Sequence, residues 1–279
     1  MSKEDNPFNS NYWGPDQLRP FVEYSKRGSH YCIYCGAIAD TREHVPSRTF
    51  LKNPLPCDLP VLPACFKCNN GFSSDELYTR TYISCLKEVL CNNNMDYLDI
   101  TSDDLKAVQE AKQTIKAALD QKLLTYDKRV RRVLLKLAIG HAVYELSEGY
   151  PSTKWSGIPL YTKYIVRGIV GETEWRDLEY AEAITDQRIP EIGSRVYRNI
   201  YVVQAGLSSF DTGSELNANL VLLDWTDIQD GEYRYIAYFN QNYMIVKMIL
   251  LDYLYGEVVF QEKSEQDEES PTEEAGNLD

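Results

Sequence analysis

The sequence lacks the hydrophobic segments that would place it in or across a membrane. No apolar run approaches the roughly 18–20 residues that a spanning helix needs, and the longest stretch, 248–251, has only a few residues. The N-terminal segment is polar and acidic, without the basic and apolar regions of a secretory signal peptide. We therefore expect a cytoplasmic protein in a reducing compartment, with no membrane partner.

Several signatures of known enzyme and fold classes are also missing. The chain contains no internal repeat, no glycine-rich phosphate-binding loop and no Ser/His/Asp arrangement, which argues against solenoid folds, P-loop nucleotide hydrolysis and triad hydrolysis. Histidine is scarce, since only His30, His44 and His141 occur. We expect His30 and His141 to be structural, the latter because it lies on the apolar side of a predicted helix.

Basic residues are fewer than acidic residues, 29 against 42, so the formal net charge is −13. This balance at first argues against a polyanionic substrate. Residues 262–279, however, contain eight acidic residues, one lysine and almost no apolar residues, so about half of the excess lies in a tail that is predicted to be disordered. The tail either serves solubility or competes with nucleic acid for the rest of the chain. A nucleic-acid substrate is therefore not excluded.

What the sequence does contain is a cysteine-rich region at 31–76. Two Cys-x-x-Cys pairs, Cys32/Cys35 and Cys65/Cys68, each place two thiolates on a short loop, and four thiolates suit one tetrahedral structural zinc ion. The remaining cysteines are expected to be buried or free thiols: Cys57, Cys85 and Cys91. Because such a zinc site is closed, any catalysis has to come from residues between and after the two pairs.

Glu43, His44 and Asn69 are the candidates for that chemistry. Five prolines between the pairs forbid a long helix, so extended segments carry Glu43 and His44, while a helix is predicted to begin near Cys68. A carboxylate and an amide oxygen suit Mg²⁺ or Mn²⁺, and a neutral His44 could take a proton from an attacking water. Adjacent strand residues point to opposite faces, so Glu43 and His44 converge only where the strand is distorted or ends. Glu76 shares a helix face with Asn69 and is either an extra ligand or an ordinary helix acid.

The series C-x2-C-G, E-H-V-P and A-C-x2-C-N-x-x-F resembles the HNH endonucleases, the ββα-metal nucleases, in the subgroup with a four-cysteine zinc. The resemblance implies a ββα unit in which His44 is the general base and Glu43 and Asn69 are ligands of a catalytic divalent ion. It also implies a DNA substrate that is nicked or cut, and many members of the family serve restriction or phage defence. The resemblance covers residues 31–76 of 279.

The sequence departs from the family pattern in three respects. Glu43 stands where Asp is more usual, and Asn69 stands where His is more usual, which favours Mg²⁺ or Mn²⁺ over softer ions. The asparagine that orients the catalytic histidine in the family has no clear counterpart here. Asn53 and Asp58 are the alternatives for that role.

Further helices and strands are predicted after Cys91. A capping sequence precedes a helix at Leu105–Leu124, and a third helix spans Asp127–Ser147. The first half of this third helix carries the densest positive cluster of the chain, which is either a solvated face or a nucleic-acid-binding surface: Lys128, Arg129, Arg131, Arg132 and Lys136. From about residue 160 the pattern indicates antiparallel strands, with Asn240–Asn242 as a hairpin connection.

We therefore predict an α+β protein in five parts. These are an N-terminal arm at 1–30, a zinc-braced HNH module at 31–91, a helical region with a basic face at 92–150, a β-rich region of unassigned role at 151–261 and an acidic tail at 262–279. The favoured function is a metal-dependent endonuclease acting on DNA, and the alternative is a non-catalytic zinc-ribbon module that binds nucleic acid or protein. The β-rich region is the expected surface for a protein partner or a second copy of the chain.

Overall fold

The computed structural model describes residues 31–121, 127–146, 161–170, 180–184, 188–190, 194–208, 215–241 and 243–262. Over these residues the chain is a mixture of helices and antiparallel sheets, which confirms the predicted α+β class in its general form. The predicted arm at 1–30 and the acidic tail after residue 262 lie outside the described residues. None of the helices in the described ranges is long and apolar enough to cross a membrane.

The helices and strands have the following bounds in chain order. The helices are α1 (Phe66–Cys91), α2 (Lys106–Gln121) and α3 (Lys128–Leu146). The strands are β1 (Thr41–His44), β2 (Val61–Ala64), β3 (Tyr161–Val170), β4 (Glu182–Ala183), β5 (Ile200–Ser208), β6 (Glu215–Leu223), β7 (Thr226–Gln229), β8 (Tyr233–Asn240), β9 (Tyr243–Leu250) and β10 (Leu254–Glu262). The predicted helices and the main strands are thus present with shifted ends. Residues 122–124, predicted as the end of the second helix, lie outside the described ranges.

Strands β1 and β2 form a short antiparallel hairpin that leads directly into α1. Glu43 pairs with Leu62 across the hairpin, and His44 pairs with Val61. Cys65 is the N-terminal cap of α1, because its Sγ accepts a hydrogen bond from the backbone N–H of Cys68, the third residue of the helix. The element order of this part of the chain is therefore strand, strand, helix.

Helices α1 and α3 bury the apolar stripes that their sequences predict. On α1 the buried apolar side chains recur at helical spacing: Tyr78, Tyr82, Ile83, Leu86 and Val89. On α3 they cover most of the surface: Val130, Val133, Leu134, Leu137, Ala138 and Tyr144. A helix that is buried on most sides needs partners on several faces, and α3 lies between α1 and the larger sheet.

The larger sheet has five antiparallel strands in the order β3, β10, β9, β8, β7, and a second sheet has the order β4, β6, β5. Asn240 pairs with Tyr243, which agrees with the predicted hairpin connection between β8 and β9. Helix α3 approaches the larger sheet at Gly256, where a Cβ atom would come within 2.6 Å of Leu134 Cδ2. A larger residue at this contact would therefore displace the Leu134 side chain. Glu262 belongs to β10 rather than to the predicted tail.

One hydrophobic core connects the hairpin region, the helices and the larger sheet. It includes Phe50 before β2, Tyr78 on α1, Leu134 on α3 and Tyr235 on β8. A smaller cluster joins the first cysteine pair and the hairpin to α3: Ile33, Val45, Leu62, Val143 and Tyr144. The hairpin and α1 thus share buried apolar surface with the rest of the described chain, while the division into domains stays a prediction.

Candidate metal centre and active site

The four cysteines of the two Cys-x-x-Cys pairs meet at one point. Their sulfur atoms lie within 4.8 Å of one another, and Cys35 Sγ is 3.7 Å from Cys65 Sγ. A tetrahedral zinc ion with Zn–S bonds of about 2.3 Å holds its sulfur atoms about 3.8 Å apart. The four side chains could therefore bind a metal ion such as zinc. Cys57, Cys85 and Cys91 are not part of this cluster.

Backbone hydrogen bonds shape the two cysteine loops. Tyr34 N–H donates to Cys32 Sγ at 3.4 Å, and Cys68 N–H donates to Cys65 Sγ at the same distance. Gly36 closes the first loop by donating its N–H to the Cys32 carbonyl at 2.8 Å, with φ at 72°. This left-handed conformation favours glycine, which explains the residue that follows the first pair.

The candidate catalytic residues line one pocket beside this cluster. The pocket has a volume of about 310 Å³, and its walls include Glu43, His44, Asn69 and Glu76. Glu43 and His44 reach the same pocket although they are neighbours, because β1 ends at His44. The hairpin and the first turns of α1 therefore bring together the residues that the sequence separates by about 30 positions.

Asn69 ties the start of α1 to β1. Its amide nitrogen Nδ2 donates to the Arg42 carbonyl at 3.0 Å and to Thr41 Oγ1 at 3.2 Å. These bonds orient the side chain, and Oδ1 is then the atom that can face a cation. The side chain thus fits the predicted ligand role through its oxygen atom only.

Glu43 and Glu76 share a buried lysine, which the sequence did not predict. Lys136 is 2% exposed, and its Nζ donates to Glu43 Oε1 at 3.0 Å and to Glu76 Oε1. The prediction that Lys136 belongs to an exposed nucleic-acid-binding face is therefore wrong, because its side chain lies inside the protein. Burial raises the pKa of Glu43, and the charge of Lys136 only partly offsets this effect.

His44 is half-buried and carries no proton on the basic nitrogen at neutral pH. Burial lowers its pKa to about 4, and the positive charges of Arg48 and Lys136 act in the same direction. A neutral imidazole has the free lone pair that a general base needs. Among the described residues its ring has no hydrogen-bond partner, and the proposed orienting residues Asn53 and Asp58 are both exposed and form no bond with it.

The rest of the predicted basic cluster is largely engaged in ion pairs. Arg129 Nε lies 2.6 Å from Asp75 Oδ1, and Arg129 also pairs with Glu110 at 2.6 Å. Arg132 lies 2.7 Å from the other oxygen of Asp75. Lys128 and Arg131 remain exposed on α3. Only part of the predicted cluster is therefore available to a polyanion.

Two arginines that the sequence reasoning overlooked stand at the pocket itself. Arg42 and Arg48 line the pocket, both are exposed, and neither forms an ion pair within the described part of the chain. Arg42 directly precedes Glu43 and Arg48 follows His44 by four residues, and this proximity was a signal that could have identified them.

A third arginine, from the β-rich half, contacts the backbone beside the pocket. Arg195 is buried, and its Nη2 donates to the carbonyl of Val45, the residue after His44, at 2.9 Å. Its guanidinium also lies 3.5 Å from Glu145 Oε1 of α3. On the other side, Gly140 of α3 packs so closely that a Cβ atom there would lie 3.3 Å from Val45. The backbone beside His44 is thus held by residues that are distant in sequence, for which no local signal exists.

His141 is fully buried on α3, as the sequence suggests for a structural residue, whereas His30 lies outside the described residues. Its Nε2 lies 2.8 Å from Tyr233 OH of β8, and its ring stacks on Tyr235 with centroids 3.8 Å apart. His141 therefore joins α3 to the larger sheet.

Comparisons of the chain with protein-family models, with curated proteins and with solved structures find no match. The resemblance to the HNH endonucleases therefore depends on the motif residues between 31 and 76.

Proposed function

We propose that the protein is a metal-dependent DNA endonuclease of the HNH type, a hydrolase that acts on phosphodiester bonds. The observation that carries this proposal is the convergence of Glu43, His44, Asn69 and Glu76 on one pocket, next to a four-cysteine cluster. The elements that form the pocket occur in the order strand, strand, helix, which is the order of a ββα unit.

The residues at this pocket fit a hard divalent cation such as Mg²⁺ or Mn²⁺. Glu43 Oε1 pairs with Lys136, whereas Glu43 Oε2 is buried and accepts no hydrogen bond from the described residues, so Oε2 is the atom left for a cation. Glu76 and the Oδ1 atom of Asn69 supply two further oxygen ligands. When bound, such an ion neutralises negative charge that develops on the phosphate and the leaving oxygen.

His44 provides the base. Its neutral imidazole takes the proton of a water molecule as that water attacks phosphorus, and the bond from phosphorus to the leaving oxygen breaks. Arg42 and Arg48 supply positive charge at the mouth of the pocket, where a phosphate backbone would lie. The cysteine cluster stabilises the loops that hold this arrangement.

The proposal is tested by incubating supercoiled plasmid with the protein and Mg²⁺ or Mn²⁺. His44→Ala should reduce nicking by about 100-fold or more, since general bases contribute about 10²–10⁴-fold. Lys67→Ala is the matched control, because Lys67 is exposed on α1 and does not line the pocket. Equal nicking by His44→Ala and the wild type, at equal zinc content and melting temperature, would refute the proposal.

The alternative is a zinc-supported module that binds nucleic acid without cleaving it. The observation that favours it is the pairing of Glu43 and Glu76 with Lys136, which a purely structural pair of acids would also show. This alternative predicts that the wild type binds DNA without nicking it, and that His44→Ala binds with the same affinity. The plasmid assay combined with a DNA-binding titration separates the two functions.

A further inference from the structure

Lys136 lies where two acidic side chains of the pocket meet. Its ammonium group contacts one oxygen of Glu43 and one oxygen of Glu76, and all three side chains are at most 6% exposed. The ring of Phe72 also lies near Nζ, with its centroid 5.4 Å away. Within the described ranges, no second cation pairs with Glu43 or Glu76. Lys136 is therefore the positive charge that keeps two buried carboxylates in place.

The two carboxylates are not fully satisfied by this single ammonium group. Glu43 Oε2 is buried without a hydrogen-bond partner among the described residues. Among the described residues, Glu76 Oε2 accepts a single long hydrogen bond, from Thr49 Oγ1 at 3.4 Å. A buried, unpaired carboxylate oxygen costs free energy, so the site gains from a second positive partner.

We propose that Lys136 is a built-in counter-charge that competes with a divalent cation for Glu43 and Glu76 and so sets the affinity of the site for that cation. This rests on the cation site of the proposed function and adds to it a controlling residue from α3. The three side chains carry one net negative charge with Lys136 present and two without it. Because like charges a few ångströms apart repel each other strongly in a buried site, the ammonium group weakens the binding of a divalent ion.

The counter-charge is an advantage for a site that is not always occupied by its cation. Without Lys136, the two buried carboxylates would repel each other whenever no ion is bound. Either the hairpin and α1 would then separate, or a carboxylate would take up a proton. Lys136 prevents this at the expense of affinity. The site then stays assembled between binding events and releases its ion readily.

The test is a titration of the full-length, zinc-loaded protein with Mn²⁺ in the absence of DNA, followed by calorimetry or by the electron paramagnetic resonance of free Mn²⁺. Lys136→Met keeps the apolar stem and removes the charge, and it should bind Mn²⁺ about tenfold more tightly or better. Lys128→Met is the matched control, because it removes the same charge from an exposed position on the same helix, and its affinity should stay within about twofold of the wild type.

A second pair of variants guards against loss of folding in Lys136→Met. The single variant Glu76→Gln is compared with the double variant Glu76→Gln, Lys136→Met, and the two differ only by the ammonium group of Lys136. In the double variant only the Glu43 carboxylate remains, so two buried carboxylates no longer repel each other. The double variant should bind Mn²⁺ about tenfold more tightly than Glu76→Gln. Melting temperatures give an independent readout, since saturating Mn²⁺ should raise that of the tighter binder more.

Equal or weaker Mn²⁺ affinity on removal of Lys136, in both pairs, would overturn the counter-charge role and leave the nuclease proposal standing. Failure of the wild type and of every variant to bind Mn²⁺ would overturn the cation site, and with it both proposals. Tighter binding in Lys136→Met together with unchanged binding in Lys128→Met is the result that supports the role of Lys136.

Discussion

Replacement of Cys65 by serine is expected to remove the metal ion and to unfold the loop around the first cysteine pair, while helix α1 stays folded. Cys65 has two functions, because its Sγ belongs to the four-sulfur cluster and also caps α1. The helix itself is anchored elsewhere, since Tyr78, Tyr82 and Leu86 lie in the main hydrophobic core. The loss of structure should therefore be confined mainly to the residues before β1.

The expected magnitude follows from the contacts of this loop. Ordering the eight residues from Tyr31 to Ile38 costs about 8–16 kcal/mol of conformational free energy, at about 1–2 kcal/mol per residue. Burial of the Ile33 side chain returns only about 1.5–3 kcal/mol. A structural zinc ion supplies about 10–16 kcal/mol in small metal modules. Without the ion, the free energy gained by burial is several kcal/mol smaller than the cost of ordering the loop, so the loop unfolds.

This prediction is tested by measuring the zinc content and the amide hydrogen exchange of the variant. The wild type should contain one zinc per chain and show protected amides in 31–38, whereas Cys65→Ser should contain none and exchange there rapidly, with α1 still protected. Cys57→Ser is the matched control, because Cys57 is exposed and lies outside the cluster. Retention of zinc and of protection at 31–38 in Cys65→Ser would show that the four-cysteine site is not what holds this loop.

Two further predictions concern a buried histidine and an exposed arginine. Burial lowers the pKa of His141 well below 6.5, so below that pH the unfolded chain binds a proton that the folded chain does not, and stability falls by up to about 1.4 kcal/mol per pH unit as the pH decreases. Urea denaturation at about pH 7 and about pH 5.5 should show a smaller acid-induced loss for His141→Gln than for the wild type, and equal losses would contradict this reasoning. Arg48→Ala should weaken DNA binding and reduce the slope of log affinity against log salt by about 1, whereas Arg132→Ala, whose guanidinium is paired with Asp75, should leave the slope unchanged. The same slope for Arg48→Ala and the wild type would exclude Arg48 from the phosphate contacts.

The correction to the basic cluster changes where DNA is expected to bind. The sequence places five positive residues on α3, but three of them pair with acids of α1 or β1, with an additional pair to α2. These pairs fasten α3 to the helix and the hairpin of the pocket. Within the described part of the chain, the positive charge at the pocket that has no acidic partner comes from Arg42 and Arg48, so a phosphate backbone is expected to cross the mouth of the pocket rather than run along α3.

The β-rich half also has a physical connection with the pocket. Arg195 reaches across the chain to the Val45 carbonyl and is itself held by Glu145 of α3. This contact fixes the backbone beside His44, whose ring has no hydrogen-bond partner among the described residues. Part of the β-rich half therefore supports the proposed base, in addition to any partner that it binds.

The sequence by itself determined the features that depend on neighbours within a few positions. The spacing of Cys32, Cys35, Cys65 and Cys68 identified the sulfur cluster, because each pair needs only a short loop to bring two sulfur atoms together. The apolar periodicity identified α1 and α3, since helical spacing repeats locally. Strands β5, β6, β8, β9 and β10 were identified in the same way, from short runs of branched and aromatic residues between turns, whereas the short strands β4 and β7 were not predicted.

Only the tertiary structure decided which of the charged residues are free. Lys136 looks like a surface lysine in its own helix, and its burial follows from Glu43 and Glu76, which are 93 and 60 positions away. Arg195 contacts Val45 across 150 positions. Charges are paired by whichever groups the fold brings within a few ångströms, and nothing in the residues beside them records the partner. Local sequence patterns therefore predicted the helices, most of the strands and the four-cysteine cluster. The charge balance of the pocket depends on how these elements pack together, so only the tertiary structure shows it.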